Sequence, residues 1–170
     1  MRRDKTTGRN GAFCILISII LTFSLAACGG KPDIAAYQDM PTSITGLTDE
    51  DFEITPAELI KMDCASESDT GKSEKAGTVE GYGPTLDTFL AQYGKKRSDF
   101  EKIRFIGKDG YKKTLWGELL DNDRIVLSLS NGDEPLNDSE TPLRLIVPGA
   151  DSSYWVYGVT QIEFIAKEKM

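Results

Sequence analysis

The sequence of 170 residues predicts one α+β domain of mixed short helices and strands, preceded by an export signal. Two observations support this fold class. Apolar residues recur at helical spacing in only two short segments, whereas short β-branched segments separated by turn residues fill most of the second half. The sequence shows neither a regular alternation of strands and helices nor the pattern of a sandwich. We therefore expect an irregular α+β fold.

The N-terminal segment has the layout of an export signal. Four basic residues and one acidic residue in residues 1–10 precede an apolar run over residues 12–27, which ends at Cys28. This run is about 16 residues long and is therefore shorter than the roughly 20 residues that a membrane-spanning helix needs. We expect residues 1–27 to be a signal peptide that is removed, with an uncleaved signal anchor as the alternative.

The residues around Cys28 resemble the lipobox of bacterial lipoproteins. Leu25, Ala26 and Ala27 precede Cys28, whose thiol would accept a diacylglycerol. More than one acyl chain on a residue anchors a protein stably in the lipid bilayer. We therefore expect a lipid-anchored protein on the extracytoplasmic face of the cell membrane. Because glycine and proline interrupt any apolar period, residues 28–50 are predicted to be a lipidated tether and residues 51–170 the folded domain.

Charge and residue counts exclude several functions. Removal of the signal would leave 16 basic and 26 acidic residues, a net charge near −10, which disfavours nucleic acid as a partner. The sequence contains no histidine, so Ser-His-Asp and Cys-His catalysis and imidazole zinc sites are excluded. With Cys14 in the signal and Cys28 lipidated, Cys64 is the one free thiol, and no disulfide can form within the domain.

Two helices are predicted. The first begins at Pro56, because Thr55 can cap it and Glu58 completes a capping box, and it continues through Met62. The second begins at Pro84, and a glycine follows it at the position that commonly ends a helix. One face of this second helix is apolar and consists of Leu86, Phe89, Leu90 and Tyr93. The glycine that is predicted to end the helix is Gly94.

Most of the other segments are predicted to be strands. Residues 102–105 alternate in polarity, and Asp109-Gly110 predicts a hairpin turn into a return strand from Tyr111 onward. Residues 125–129 and 143–147 are apolar and β-branched enough for buried strands. Residues 160–165 alternate as well. Ile162 and Phe164 are predicted to point to one side of this strand, and Gln161 and Glu163 to the other.

Four short motifs occur in an order and spacing typical of one protein family. They are Pro84-Thr85-Leu86, Asp109-Gly110-Tyr111, residues 131–136 (NGDEPL) and residues 142–149 (PLRLIVPG). With these motifs, roughly residues 52–165 resemble the molybdopterin-binding domain of the sulfite oxidase family. The resemblance implies that family's irregular α+β fold with layered sheets. It also implies descent from a molybdenum-cofactor oxidoreductase.

The resemblance implies candidate site residues. A cysteine thiolate upstream of the second helix ligates molybdenum in that family, which makes Cys64 the candidate metal ligand here. Arg104, Tyr111 and Arg144 are the other candidate cofactor-binding residues. The alternatives are a buried structural thiol at position 64 and ordinary paired arginines. After residues 148–149 the chain continues as ADSSYW, which lacks the cations that a phosphate tail needs.

Three functions from different classes follow. We favour a non-catalytic module that binds a small-molecule ligand or an envelope protein and carries no cofactor. The alternative is a molybdenum-dependent oxidoreductase that binds molybdopterin and uses Cys64 as the metal ligand. A purely structural surface protein is the third hypothesis. Tyr154, Trp155 and Tyr157 are candidates to line a ligand pocket, with a role in the core or in an edge strand as the alternative.

Overall fold

The computed structural model describes residues 31–70 and 77–168. The predicted signal peptide and Cys28 lie outside these residues. The described chain contains two short helices and many short strands, which confirms the predicted α+β fold class. The helices are α1 (Pro56–Leu59) and α2 (Leu86–Gln92), and the strands are β1 (Thr42–Thr45), β2 (Phe52–Ile54), β3 (Cys64–Thr70), β4 (Thr78–Pro84), β5 (Phe100–Gly107), β6 (Lys112–Trp116), β7 (Val126–Ser128), β8 (Ser130–Asn131), β9 (Glu134–Pro135), β10 (Arg144–Ile146) and β11 (Val159–Ala166).

The largest sheet has five strands in the order β2-β1-β11-β5-β6. Strand β1 pairs with β11 in parallel, and the other neighbours are antiparallel. Ile162 and Phe164 of β11 are buried, whereas the side chains of Gln161 and Glu163 are only partly buried. This alternation confirms the two faces that the sequence predicts for the last strand. The hairpin turn between β5 and β6 is also confirmed, since Gly110 there has a φ of +82°.

Both helices begin at local capping signals. The backbone N–H of Thr55 donates to Glu58 Oε2 at 2.8 Å, so α1 begins at Pro56 as predicted. In α2 the cap is Thr85, whose Oγ1 accepts from the backbone N–H of Thr88 at 3.1 Å. The predicted start at Pro84 is therefore wrong, because Pro84 is the last residue of the preceding strand. The positive φ of Gly94, +65°, follows the end of α2.

The predicted tether is wrong over residues 37–50. Tyr37 is buried, and its hydroxyl donates to the carbonyl oxygen of Leu129 at 2.7 Å. Strand β1 lies inside the sheet between β2 and β11, with Ile44 fully buried. Thr42, Ile44 and Thr45 have β-branched side chains, which pack well in a sheet, and this preference outweighs the neighbouring glycine and proline signals. The folded domain therefore begins before residue 51.

A second layer of two-stranded sheets packs beside the five-stranded sheet. Strand β3 pairs with β4, β7 with β10, and β8 with β9. Strand β4 lies close to β7, because Gly81 and Gly83 have no side chains there and a Cβ on Gly83 would collide with the carbonyl of Leu127. The core is formed where these layers meet and where α2 packs on them. In residues 31–70 and 77–168, no helix has the length and apolar character needed to cross a membrane.

Candidate functional site

The β3–β4 hairpin has an inner face and an outer face. Gly81 and Gly83 are buried, and the atoms nearest to them belong to β7 and β10. The outer face alternates with this one, because successive residues of a strand point to opposite sides. Its cross-strand pairs are Cys64 with Pro84, Ser66 with Tyr82, and Ser68 with Glu80. The candidate thiol therefore lies at one end of a row of polar side chains.

Cys64 is a partly buried free thiol at the start of β3. Its Sγ lies 3.8 Å from the carbonyl oxygen of Leu59. Burial raises the pKa of this thiol above its ordinary value, and the nearby charge of Lys31 and a hydrogen bond with Tyr82 oppose that rise only in part. Cys64 is therefore a protonated thiol at neutral pH, and a metal that bound it would have to displace this proton.

A cavity of about 280 Å³ opens on the outer face of the hairpin beyond Cys64. Its lining residues include three acidic residues, Glu67, Glu80 and Asp133. The carboxylate of Glu67 is paired with Arg124, with Nη2 and Oε2 2.5 Å apart. No basic residue lines this cavity among the described residues, so its local field favours positive charge over negative charge.

Arg144 and Glu140 form a buried ion pair at the other end of the hairpin. Arg144 Nη1 donates to Glu140 Oε1 at 3.0 Å, and the two side chains are only 3% and 7% exposed. Arg144 Nη2 donates to the carbonyl oxygens of Glu80 and Ser130. The second carboxylate oxygen of Glu140 accepts from the side-chain amides of Asn131 and Asn137. The charge of Arg144 is thus compensated inside the protein.

A second cavity, of about 370 Å³, lies against Arg144, and we call it the Arg144 cavity. Two of the residues that line it carry a buried side-chain donor without a hydrogen-bond partner, namely Arg144 Nε and Trp155 Nε1. Burial lowers the pKa of Arg144, and the carboxylate of Glu140 opposes this shift. The residues that line the cavity are Thr78, Val79, Glu80, Asn131, Arg144, Trp155 and Tyr157.

The four candidate cofactor-binding residues are not brought together. Arg104 lies on β5, and its Nη1 donates at 2.7 Å to Oε2 of Glu163, its partner on the neighbouring strand β11. The hydroxyl of Tyr111 donates to the carbonyl oxygen of Ser153 at 2.7 Å. Cys64 and Arg144 both adjoin β4, at Pro84 and Glu80 respectively. Four residues of an extended strand separate these two contacts, which is roughly 13 Å.

Some residues of the site were absent from the sequence-based candidates. Glu140 and Asn131 hold the buried charge, but the sequence alone gave no sign that either would be buried. Trp155 is 4% exposed and lies both in a small apolar cluster and on the wall of the Arg144 cavity, so both of its predicted roles apply. Tyr157 is 44% exposed and also lines this cavity. Tyr154 packs against the main core.

The lining of these two cavities does not fit the phosphate tail of molybdopterin. A phosphate tail needs cations, yet the one cation on the wall of the Arg144 cavity is already neutralised by Glu140. Carboxylates line the cavity on the outer face, where they would repel a phosphate. Neither cavity therefore offers an uncompensated cation for the phosphate tail of the cofactor.

Comparison with known proteins identifies the family. No curated protein matches the sequence. Among solved structures, the sulfane dehydrogenase SoxCD from Paracoccus pantotrophus is similar, with a TM-score of 0.62 and 21% identity. The similarity covers 76% of this chain but only 39% of that chain, so it shows a shared fold. The family model of the oxidoreductase molybdopterin-binding domain matches residues 37–170, and the chain therefore belongs to this family.

Proposed function

We propose that this protein is an extracytoplasmic, membrane-anchored lipoprotein whose molybdopterin-domain fold serves as a non-catalytic binding module. The observation that carries the proposal is the compensation of Arg144 by Glu140, with side chains 3% and 7% exposed. An anion that bound Arg144 would have to displace a buried carboxylate, which would then be left without its partner. In this proposal the protein keeps the family fold, while the positive charge of Arg144 pairs with Glu140 and is not available to a cofactor phosphate.

The polar groups at the hairpin are suited to binding rather than to covalent chemistry. The thiol of Cys64 is protonated at neutral pH, because its pKa is raised by burial. The Arg144 cavity offers buried N–H donors and aromatic side chains, which can orient a ligand. These features support a small-molecule ligand or an envelope protein as the binding partner.

The start of the folded domain supports a position close to the membrane. Cys28 precedes the buried Tyr37 by nine residues, which span at most about 30 Å when fully extended. Acylation of Cys28 would therefore hold the domain against the bilayer. Pro32, which lines the cavity on the outer face of the hairpin, is only four residues from Cys28.

Metal analysis tests the non-catalytic role. The full-length protein is expressed in a host that makes molybdenum cofactor, with molybdate supplied, and molybdenum and pterin are measured in the purified protein. We expect molybdenum well below one atom per chain, and the same low content in Cys64→Ala. Stoichiometric molybdenum that is lost in Cys64→Ala would instead establish the alternative, a molybdenum-dependent oxidoreductase with Cys64 as the metal ligand.

Mass spectrometry of the membrane fraction tests the anchor. We expect a mature N-terminus at Cys28 that carries acyl chains, and loss of both processing and acylation in Cys28→Ala. Cys14→Ala is the matched control, because this cysteine lies inside the predicted signal and should leave the anchor unchanged. An intact leader, or a mature terminus without fatty chains, would contradict the proposed localisation.

A further inference from the structure

We infer that the Arg144 cavity binds a small, planar, uncharged molecule that presents hydrogen-bond acceptors, in place of a phosphate-bearing cofactor. The inference rests on the proposed function, because it names the class of ligand that the binding module takes. Three features of the cavity carry it: the balance of charge, the two unpartnered donors and the aromatic side chains on the wall.

The charge balance of the cavity excludes an anion. Among the described residues, Arg144 and Glu80 are the charged residues that line the cavity, and Glu140 contacts Arg144 at 3.0 Å. Together these three groups carry a net charge of −1 at neutral pH, so a phosphate or carboxylate would leave water for a site without net positive charge. Desolvation of an anion under those conditions is strongly unfavourable. An uncharged ligand avoids this penalty.

The two unpartnered donors require acceptors. Arg144 Nε and Trp155 Nε1 are buried and lack a hydrogen-bond partner, and such groups are rare in folded proteins. The ring of Tyr157 lies with its centroid 5.9 Å from the guanidinium carbon of Arg144 and covers this group. Tyr157 is 44% exposed, and ligand binding requires its ring to turn toward solvent so that the buried donors become accessible from the cavity. Carbonyl oxygens or ring nitrogens of a ligand would then accept from them.

The aromatic side chains favour a planar ligand. Trp155 and Tyr157 both line the cavity, and flat rings stack well on such side chains. Asn131 and Thr78 supply further polar groups on the wall. The volume of about 370 Å³ lies at the lower end of the range for small-molecule sites, which suits a single- or double-ring heterocycle.

Nuclear magnetic resonance offers a direct test, because the chain has two tryptophans and the other one, Trp116, is 66% exposed on β6. The ¹⁵N-labelled full-length protein is titrated with two uncharged probes, nicotinamide and uracil, and with two anions, nicotinate and inorganic phosphate. We expect both uncharged probes to shift the indole N–H resonance of Trp155 and to leave that of Trp116 unchanged. Nicotinate should bind at least tenfold more weakly than nicotinamide, and phosphate should cause no shift.

Three variants complete the test. Trp155→Phe should weaken nicotinamide binding about 5- to 10-fold through the loss of one hydrogen bond, and Trp116→Phe is the matched control with unchanged binding. Because Trp155 is buried, its substitution can also disturb folding. Tyr157→Leu is therefore a second test at an exposed position, where loss of the stacking ring should also weaken nicotinamide binding. Preferential binding of nicotinate or phosphate would overturn the inference, and so would the absence of a response to both uncharged probes. Stoichiometric molybdenum in the purified protein would separately overturn the proposed function.

Discussion

Two arginine–glutamate pairs in this protein have the same chemistry and opposite environments. Arg104 and Glu163 pair at 2.7 Å on the outer face of the five-stranded sheet, with side chains 38% and 26% exposed. Arg144 and Glu140 pair at 3.0 Å, with side chains 3% and 7% exposed. Water screens the first pair, whereas each member of the second pair depends on the other for its solvation. Burial, rather than the contact distance, decides the importance of an ion pair here.

The same contrast extends to the surrounding regions. The strands of the five-stranded sheet alternate between buried and polar side chains. Substitutions on the polar face should therefore change the free energy of unfolding only slightly. The layer of β3, β4, β7 and β10 is held by close backbone approaches and by a buried polar network. Such a network is sensitive to the loss of any one member. We therefore expect the second region to be the less tolerant of substitution.

The largest effect is expected when the buried pair is broken. Glu140→Ala leaves Arg144 as a buried charge without its partner, and we expect a loss of about 3–5 kcal/mol in the free energy of unfolding. Urea denaturation monitored by circular dichroism measures this loss. The double variant Glu140→Leu with Arg144→Met should recover most of the stability, because apolar groups can replace a buried pair. A loss below about 1 kcal/mol in Glu140→Ala would show that the pair is not buried.

The close approach of β4 to β7 should be the next most sensitive feature. In Gly83→Ala the added methyl group meets the carbonyl of Leu127, which is backbone and cannot move aside. We expect a loss of about 2–3 kcal/mol from overpacking. Gly94→Ala is the matched control: its φ is +65°, but no atom lies within 4 Å of the new methyl group, so only the backbone strain of about 1 kcal/mol remains. Equal losses in the two variants would contradict the packing of β4 on β7.

The Cys64 thiol gives a smaller, pH-dependent effect. Folding raises the pKa of the thiol, so the folded state binds this proton more tightly than the unfolded state does. The resulting stabilisation is complete below the thiol pKa of the unfolded chain, about 8.5, and is lost as the pH rises through that value toward the folded pKa. Alkylation by iodoacetamide should therefore have its midpoint above about pH 8.5 in the folded protein and near that value in the urea-unfolded chain. A midpoint below neutral pH in the folded protein would contradict the raised pKa of this thiol.

The smallest effect is expected at the exposed pair. Glu163→Gln removes the charge that contacts Arg104 but leaves both side chains accessible to water. We expect a change of at most about 1 kcal/mol in the free energy of unfolding, and less at high salt. Thermal denaturation at two salt concentrations measures it. A loss as large as that of Glu140→Ala would remove the distinction between the two pairs.

Local signals in the sequence predicted the elements that depend on neighbouring residues. Thr55 and Glu58 marked the start of α1, and the Asp109-Gly110 turn marked the hairpin between β5 and β6. These features could be predicted because caps and turns are decided by side chains within a few positions of one another. Strand β1 could not be predicted in this way, because its place in the sheet depends on pairing with β11, more than 100 residues later.

The candidate site was predictable only in part. The family resemblance named Cys64 and Arg144, which adjoin the same strand, but it also named Arg104 and Tyr111, which contact Glu163 and Ser153 elsewhere. The residues that decide the charge of the site became visible only in the fold. No local sequence pattern predicts that Glu140 is buried against Arg144, because the burial of both side chains depends on chain segments that are distant in sequence.

By itself, the sequence determined the α+β class, the absence of histidine chemistry, the family motifs and the caps and turns of individual elements. These properties depend on composition or on residues close together in the chain. Only the tertiary structure decided that residues 37–50 belong to the domain, that Glu140 neutralises Arg144 and that Trp155 lies against the same cavity. Each of these depends on contacts between distant segments, and the free energy of a buried charge or donor is set by those contacts.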